Sequence, residues 1–438
     1  MEGNIIIVNQ SSGNSLLQEA FDNLDGYLQS ITSLRDAFYC NEEALSQHLS
    51  HQRDEYNAMH ERCTITESNG TKIISVPNAE IYLYRKLQKN VMRAVRATEL
   101  IPPCYLSAMI SSYDAFFGGI IKSFYNICPE KLRDSEKTFT YKDLESLQSL
   151  KDVKKLIVEK KIDTELRESH IEQLNWLAGQ LGVSTLKEFN GFSDFVEITQ
   201  RRNLFVHADG IVSDQYIAVC QTYNALDENI KAGAKLDVSH EYFNRAYHVL
   251  YRLGIMLTFT MLNILFKKGD EDVKVEIDEK LIEYIYYMIY AEEYANAIII
   301  SNFALGRSFK HNHINRVYYT LNLAQSHKWL GNDIECKKAL KQIDWTACLH
   351  ELLLPKHVLM GDYQSAYICM ERIGNANRII SPSAYREWPI FKEFREEEKF
   401  KQTYEKIFGE PFDSTAKVVV EKYASPSEVT QVRDDSKE

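Results

Sequence analysis

Apolar residues recur at helical spacing along almost the whole chain, and few residues interrupt them. Leu16, Leu17, Ala20, Phe21, Leu24, Leu28 and Ile31 form the first such stripe, and a separate polar helix is expected from about Glu42 to His60. With 18 glycines and 9 prolines in 438 residues, long helices are favoured over a turn-rich β architecture. One β signal stands out. Thr64-Ile65-Thr66 and Lys72-Ile73-Ile74-Ser75-Val76 flank Asn69-Gly70, the turn pair of a short hairpin near residues 64–76. Pro77-Asn78 start a helix reaching about Leu100, which Pro102-Pro103 are expected to break. Further helices are expected over Tyr105–Ile127, two or three within Lys142–Leu181, one over Phe192–His207 ended by Asp209-Gly210, and one over Tyr242–Phe266. The fold class is therefore all-α, with one small β-hairpin.

Lys267–Lys280, short of large apolar residues, reads as the boundary between two textures. From Leu281 the chain becomes short helices rich in Tyr, Ala and Leu. Three segments look alike: Tyr290–Ala297, Trp329–Asp333 and Leu359–Ala366, with equivalent positions 292, 331 and 361. Their spacings of 39 and 30 residues average close to the tetratricopeptide period of about 34. The stretch 281–410 therefore resembles a degenerate tetratricopeptide-like array of helical hairpins. Residues 1–79 form an N-terminal part, and 425–438 a polar, flexible tail.

The net charge of −11 excludes a protein that coats duplex nucleic acid by bulk charge, but leaves room for a local basic site. Eight scattered cysteines without a CxxC pair fit a reducing compartment. Met1–Ile7 lacks the basic and long apolar regions of a signal peptide, and the apolar Tyr247–Phe266 holds His248, Arg252 and Asn263. A cytoplasmic protein without a membrane span is expected.

The chemistry-bearing stretch is Glu197-Ile198-Thr199-Gln200-Arg201-Arg202-Asn203-Leu204-Phe205-Val206-His207-Ala208-Asp209-Gly210. Leu204, Phe205 and Val206 can anchor it while Arg202, Asn203 and His207 face something else. On an ideal helix Arg202 and His207 lie about 140° apart, so they converge poorly within one chain. A frayed helix end or a symmetric dimer would bring such groups together. Structurally, the same residues serve a helix end: Glu197 can pair with Arg201 at i,i+4, and His207 suits the C-terminal dipole.

This segment resembles the RNxxxH form of the Rx4–6H motif of HEPN domains, helical and often metal-independent ribonucleases. The resemblance covers about 80–268, with Glu197 upstream of the motif and a long helix after it. It implies that His207 is a general acid or base, that Arg202 clamps the phosphate, and that Asn203 and Glu197 orient the phosphate or His207. RNA would be cleaved by its own 2′-hydroxyl, without metal or cofactor. A tyrosine that some of these toxins carry two residues after the histidine is replaced by Asp209, so regulation through it is not carried over.

Arg85, Lys89, Arg93 and Arg96 recur at helical spacing in a segment, Ile81–Thr98, that holds no acid. With Arg201 they are candidate RNA-binding residues, although a merely solvated helix face gives the same pattern. Other candidates carry less. His311-Asn312-His313 spells HNH but is expected in a surface loop, and His48, His51 and His60 lack a clear fourth ligand for zinc. Tyr284, Tyr286, Tyr287, Tyr290 and Tyr294 read as repeat core.

The expectation is thus a homodimeric endoribonuclease, a regulated toxin or anti-phage effector. Its C-terminal array would bind a protein partner or trigger. The competing expectation is a non-catalytic scaffold that binds nucleotides, RNA or a protein.

Overall fold

The computed structural model describes residues 10–68, 71–132, 149–266, 271–306, 309–377 and 379–413. The Asn69-Gly70 turn, residues 142–148 and the 425–438 tail lie outside them. The fold is all-α, with one two-stranded sheet among the described residues. The chain divides into two compact units. The first is Met1–Tyr284 with Asn302–Asn315, and the second is Ile285–Ser301 with Arg316–Glu438.

The first unit is organised by two long helices. Helix α1 (Gln10–His60) is one element where two were expected. Nothing in residues 32–41 breaks a helix, and Phe38 continues the apolar register, stacking on Phe243 at 4.0 Å between ring centroids. Strands β1 (Thr64–Ser68) and β2 (Thr71–Ser75) then pair antiparallel, Ile65 opposite Ile74.

Helix α2 (Ile81–Ile127) continues through Pro102 and Pro103, against expectation. A proline ring removes an N–H donor without preventing helical φ, and packing on both sides of the pair holds the helix. The backbone consequence is local. Pro102 and Pro103 cannot donate to the carbonyls of Thr98 and Glu99, four residues back, and Pro102 cannot donate to Glu99 at three either. The Glu99 carbonyl therefore loses both of the usual helical donors, those at i+3 and i+4.

Helices α3 (Leu150–Glu165), α4 (His170–Leu181), α5 (Phe192–Ala208), α6 (Asp214–Thr222) and α7 (His240–Leu265) complete the bundle. Ser149, Ser169, Ser213 and Ser239 each accept a hydrogen bond from a backbone N–H in the first turn that follows. Helix α5 ends as expected, with Asp209 and Gly210 at φ of 48° and 78°.

The N-terminal part is not separate from 80–268. The Tyr27 hydroxyl donates to the Leu250 carbonyl at 3.0 Å, and Asn23 donates to that of Phe116 at 3.1 Å. A Cβ at Gly254 would sit 2.6 Å from Tyr27 Cε1, so glycine is what lets α1 approach α7. Segments around α2 and α7 are apolar and long enough to cross a membrane, but 50% and 61% of their apolar windows are buried inside the protein.

Of the expected 267–280 boundary, residues 267–270 lie outside the described ones, and the remainder is helical. Residues 271–280 open helix α8 (Glu271–Tyr290), whose Val273, Ile277 and Leu281 form a buried i,i+4 stripe. In the same unit His311 is not in an exposed loop. It hydrogen bonds to Asp278 at 2.8 Å and to the Ala304 carbonyl at 2.7 Å, with 4% of its side chain exposed.

In the second unit the three look-alike segments fold alike. Turns join α8 to α9 (Tyr294–Ala304), α10 (His313–Trp329) to α11 (Asp333–Leu340), and α12 (His350–Met360) to α13 (Tyr363–Ile373). Glu292, Gly331 and Gly361 take left-handed φ of 60°, 77° and 71°. Each of these N–H groups bonds the carbonyl three residues back, and the next N–H bonds the carbonyl five back. Helices α14 (Pro382–Glu387) and α15 (Glu398–Phe408) follow, closing on the buried rings of Tyr385, Phe391, Phe394, Phe400 and Tyr404. Tyr287 and Tyr290 are exposed and do not belong to that core.

Candidate functional site

Helix α5 has two faces with different duties. On the inner face Glu197, 6% exposed, accepts hydrogen bonds from Arg201 Nε at 2.6 Å, from the Tyr216 hydroxyl at 2.7 Å and from the Tyr242 hydroxyl at 2.7 Å. Arg201 also donates to the Asp237 carbonyl at 3.1 Å and lies 3.9 Å from the Tyr242 ring centre. Burial, and after it the Glu197 carboxylate, push both tyrosine hydroxyls far above their ordinary range, so they remain protonated donors. This corrects two expectations. Glu197 is engaged in holding α5 to α6 and α7 and is not hydrogen bonded to His207, and Arg201 is its buried partner and not on an exposed face.

Arg202 points elsewhere. Its Nη2 lies 3.8 Å from Asp114 Oδ2 on α2, its Nη1 donates to Asn203 Oδ1 at 3.2 Å, and its buried Nε has no partner among the described residues. The other Asp114 oxygen lies 3.0 Å from His170 Nε2, in the first turn of α4. His170 in turn packs edge-on against Phe195, with ring centroids 6.0 Å apart. Sequence reasoning missed both Asp114 and His170. The available signal was a lone carboxylate among Tyr113, Phe116 and Phe117 in an otherwise apolar run.

His207 stands in the last turn of α5, exposed and without a hydrogen-bond partner among the described residues. It is not joined to Arg202 within the chain. Asn203, four residues before it, shares its helix face. The outer part of the motif is thus a connected Arg202–Asn203 pair with an unengaged imidazole one turn away.

The basic stripe is on α2, and all of Arg85, Lys89, Arg93 and Arg96 are exposed. Among the described residues, Arg85 and Arg93 bond to the neighbouring amides of Gln88 and Asn90 and to the Lys89 carbonyl. Arg96 differs. It pairs with Glu99 at 2.9 Å and with Asp209 at 3.3 Å, and Lys235 reaches the other Asp209 oxygen at 3.2 Å. Lys235 first, then Arg96, hold the Asp209 carboxyl below its ordinary range. The stripe therefore ends against the last turn of α5. Beside this junction lies a cleft of about 880 Å³, lined by Pro102, Pro103, Phe205, Val206, Asp209 and Lys235 among others.

Among the described residues no three His, Cys, Asp or Glu side chains gather as a metal-ion site. No protein-family model, characterised protein or solved structure matches the chain.

Proposed function

We propose that the chain is a metal-independent endoribonuclease of the HEPN-like kind, in which Arg202, Asn203 and His207 act on the phosphodiester. The 2′-oxygen attacks phosphorus, the bond from phosphorus to the 5′-oxygen breaks, and the products are a 2′,3′-cyclic phosphate and a 5′-hydroxyl. His207 takes the 2′-hydroxyl proton or returns one to the leaving oxygen. Arg202 neutralises the phosphorane, and Asn203 keeps its guanidinium in plane. The observation that carries this reading is the unengaged, exposed His207 one helical turn from the hydrogen-bonded Arg202–Asn203 pair.

Because Arg202 and His207 lie about 140° apart on one helix, the working site takes both copies of a homodimer. The tetratricopeptide-like second unit holds a protein partner or trigger, and the enzyme is a regulated toxin or anti-phage effector in the cytoplasm. A non-catalytic RNA- or nucleotide-binding scaffold is the second reading. It is favoured by the engagement of Arg202 with Asp114 and by the burial of Glu197.

The test is incubation of the full chain with tRNA and total RNA in EDTA. Wild type should leave cyclic-phosphate ends, while Arg202→Ala and His207→Ala lose at least a hundredfold in rate. If wild type and His207→Ala both bind RNA and neither cuts it, even with growth arrest absent in expressing cells, the scaffold reading holds instead.

A further inference from the structure

The β1–β2 ribbon and the first turns of α2 hold exposed apolar residues that the proposed chemistry does not use. Every residue from Thr64 to Glu67 and from Lys72 to Ser75 is exposed. Ile65 and Ile74 face each other across the ladder, and Ile73, opposite Thr66, belongs to the other face of the sheet. The three isoleucines are 37–52% exposed. A two-stranded ribbon with both faces open is marginally stable by itself, because it lacks a layer on which to bury its apolar side chains. Its base is held by Cys63 and Val76, which pack on the cluster of Met59, Tyr84 and Leu87.

The same cluster fixes which side of α2 is turned outward. By helical geometry Tyr82 and Lys89 lie about 170° from the mean direction of Tyr84 and Leu87, and Arg85, Lys86 and Arg93 fall within about 50° of the outward line. Tyr82 is 78% exposed and Met92 65%. No acid occurs from Ile81 to Thr98, and Arg85, Lys86, Lys89 and Arg93 have no carboxylate partner among the described residues. On a chain of net charge −11, this face suits an anionic surface while the acidic remainder is repelled by it.

We propose that the β1–β2 ribbon and the first turns of α2 dock on an anionic phospholipid bilayer. Ile65, Ile73, Ile74 and Tyr82 enter the boundary of headgroups and acyl chains, and the α2 cations meet the headgroups. A fluid boundary surrounds both faces of the ribbon at once, whereas a stacked base or a rigid protein covers one. The seat is shallow, since the unpaired edges of a two-stranded sheet need water. Aliphatic side chains favour lipid over RNA, whose bases stack on aromatic rings and guanidinium planes. A second copy bound through this same face would set the four cations against their own counterparts. Docking of this kind is independent of the ribonuclease reading, since an enzyme and a scaffold would be brought to the membrane alike.

The full-length chain, freed of RNA and repurified, is sedimented with sucrose-loaded vesicles of phosphatidylcholine alone or with about 30% phosphatidylserine, at near-physiological salt. Partition onto the anionic vesicles should be at least tenfold stronger and should fall steeply with added salt. Lys89→Glu with Arg93→Glu should weaken it about 25-fold or more, at roughly fivefold for each cation. Ile65→Ser with Ile74→Ser should weaken it several-fold, and Tyr82→Ser likewise. All of these side chains are exposed, so an unchanged circular dichroism spectrum and urea midpoint verify that each variant is folded.

Equal partition onto the two kinds of vesicle, no partition at all, or parental partition by the α2 and ribbon variants overturns the proposal. If the chain ignores vesicles and a labelled RNA binds through the same α2 cations, the face belongs to RNA and the proposal falls. It falls equally if vesicles are ignored and sedimentation velocity shows a dimer that the ribbon variants dissociate, which would assign the face to a second copy. Cleavage of RNA in EDTA enters none of these outcomes, so membrane docking and the ribonuclease reading fail separately.

Discussion

At the scale of single residues, the motif separates into a structural half and a surface half. The Glu197–Arg201 pair was legible from its i,i+4 spacing. Its two tyrosine donors were not, because Tyr216 and Tyr242 lie 19 and 45 residues downstream and arrive only through the packing of α6 and α7. The same limit hid Asp114 and His170, 56 residues apart in sequence. Exposed groups fared better: His207 and the stripe on α2 stand on the surface, where a residue's type and spacing are enough to place it. Removing the Glu197 charge should show how firmly the inner face is held. Glu197→Gln leaves the buried Arg201 uncompensated and should cost about 3–5 kcal/mol in urea denaturation. Tyr216→Phe, which removes one neutral donor to the carboxylate, should cost about 1.5–3 kcal/mol.

Helices were legible as elements, and their ends much less so. Local rules read Pro102-Pro103 as a stop and the 271–280 part of Lys267–Lys280 as linker, but tertiary packing overrode both. The α2 segment is held by burial on either side of the prolines, and the charged surface of residues 271–280 conceals the stripe of Val273 and Ile277. The three turns of the second unit were the opposite case, since helix termination is written locally in Gly331 and Gly361. Glu292 occupies the equivalent left-handed position with a side chain, which is a conformational cost that glycine avoids. Glu292→Gly should therefore stabilise the second unit by about 1 kcal/mol in calorimetry of the full chain. The exposed Glu292–Lys392 ion pair at 3.1 Å that it removes should offset little of that gain.

At the scale of the whole molecule, the change of texture near residue 280 was visible in the sequence, but the assignment of the N-terminal residues was not. A stripe such as Leu17, Leu24 and Ile31 announces that α1 is buried, without saying against what. It is buried in the first unit, so a fragment of 80–268 should be a molten species that binds hydrophobic dye and unfolds without a sharp transition. Extending the fragment to 10–315, which restores α1 and the 302–315 segment, should recover cooperative unfolding by circular dichroism. The hydrogen bond from Tyr27 to Leu250 spans 223 residues, and it has a consequence in time. At about 5–20 residues per second, the ribosome needs roughly 11–45 s to make α7 after Tyr27 has been added. Throughout that interval α1 can settle on α2, its other native neighbour, but the side of Tyr27 that meets α7 stays open, so the nascent chain depends on shelter for that face, such as a chaperone gives, long before any of its chemistry exists.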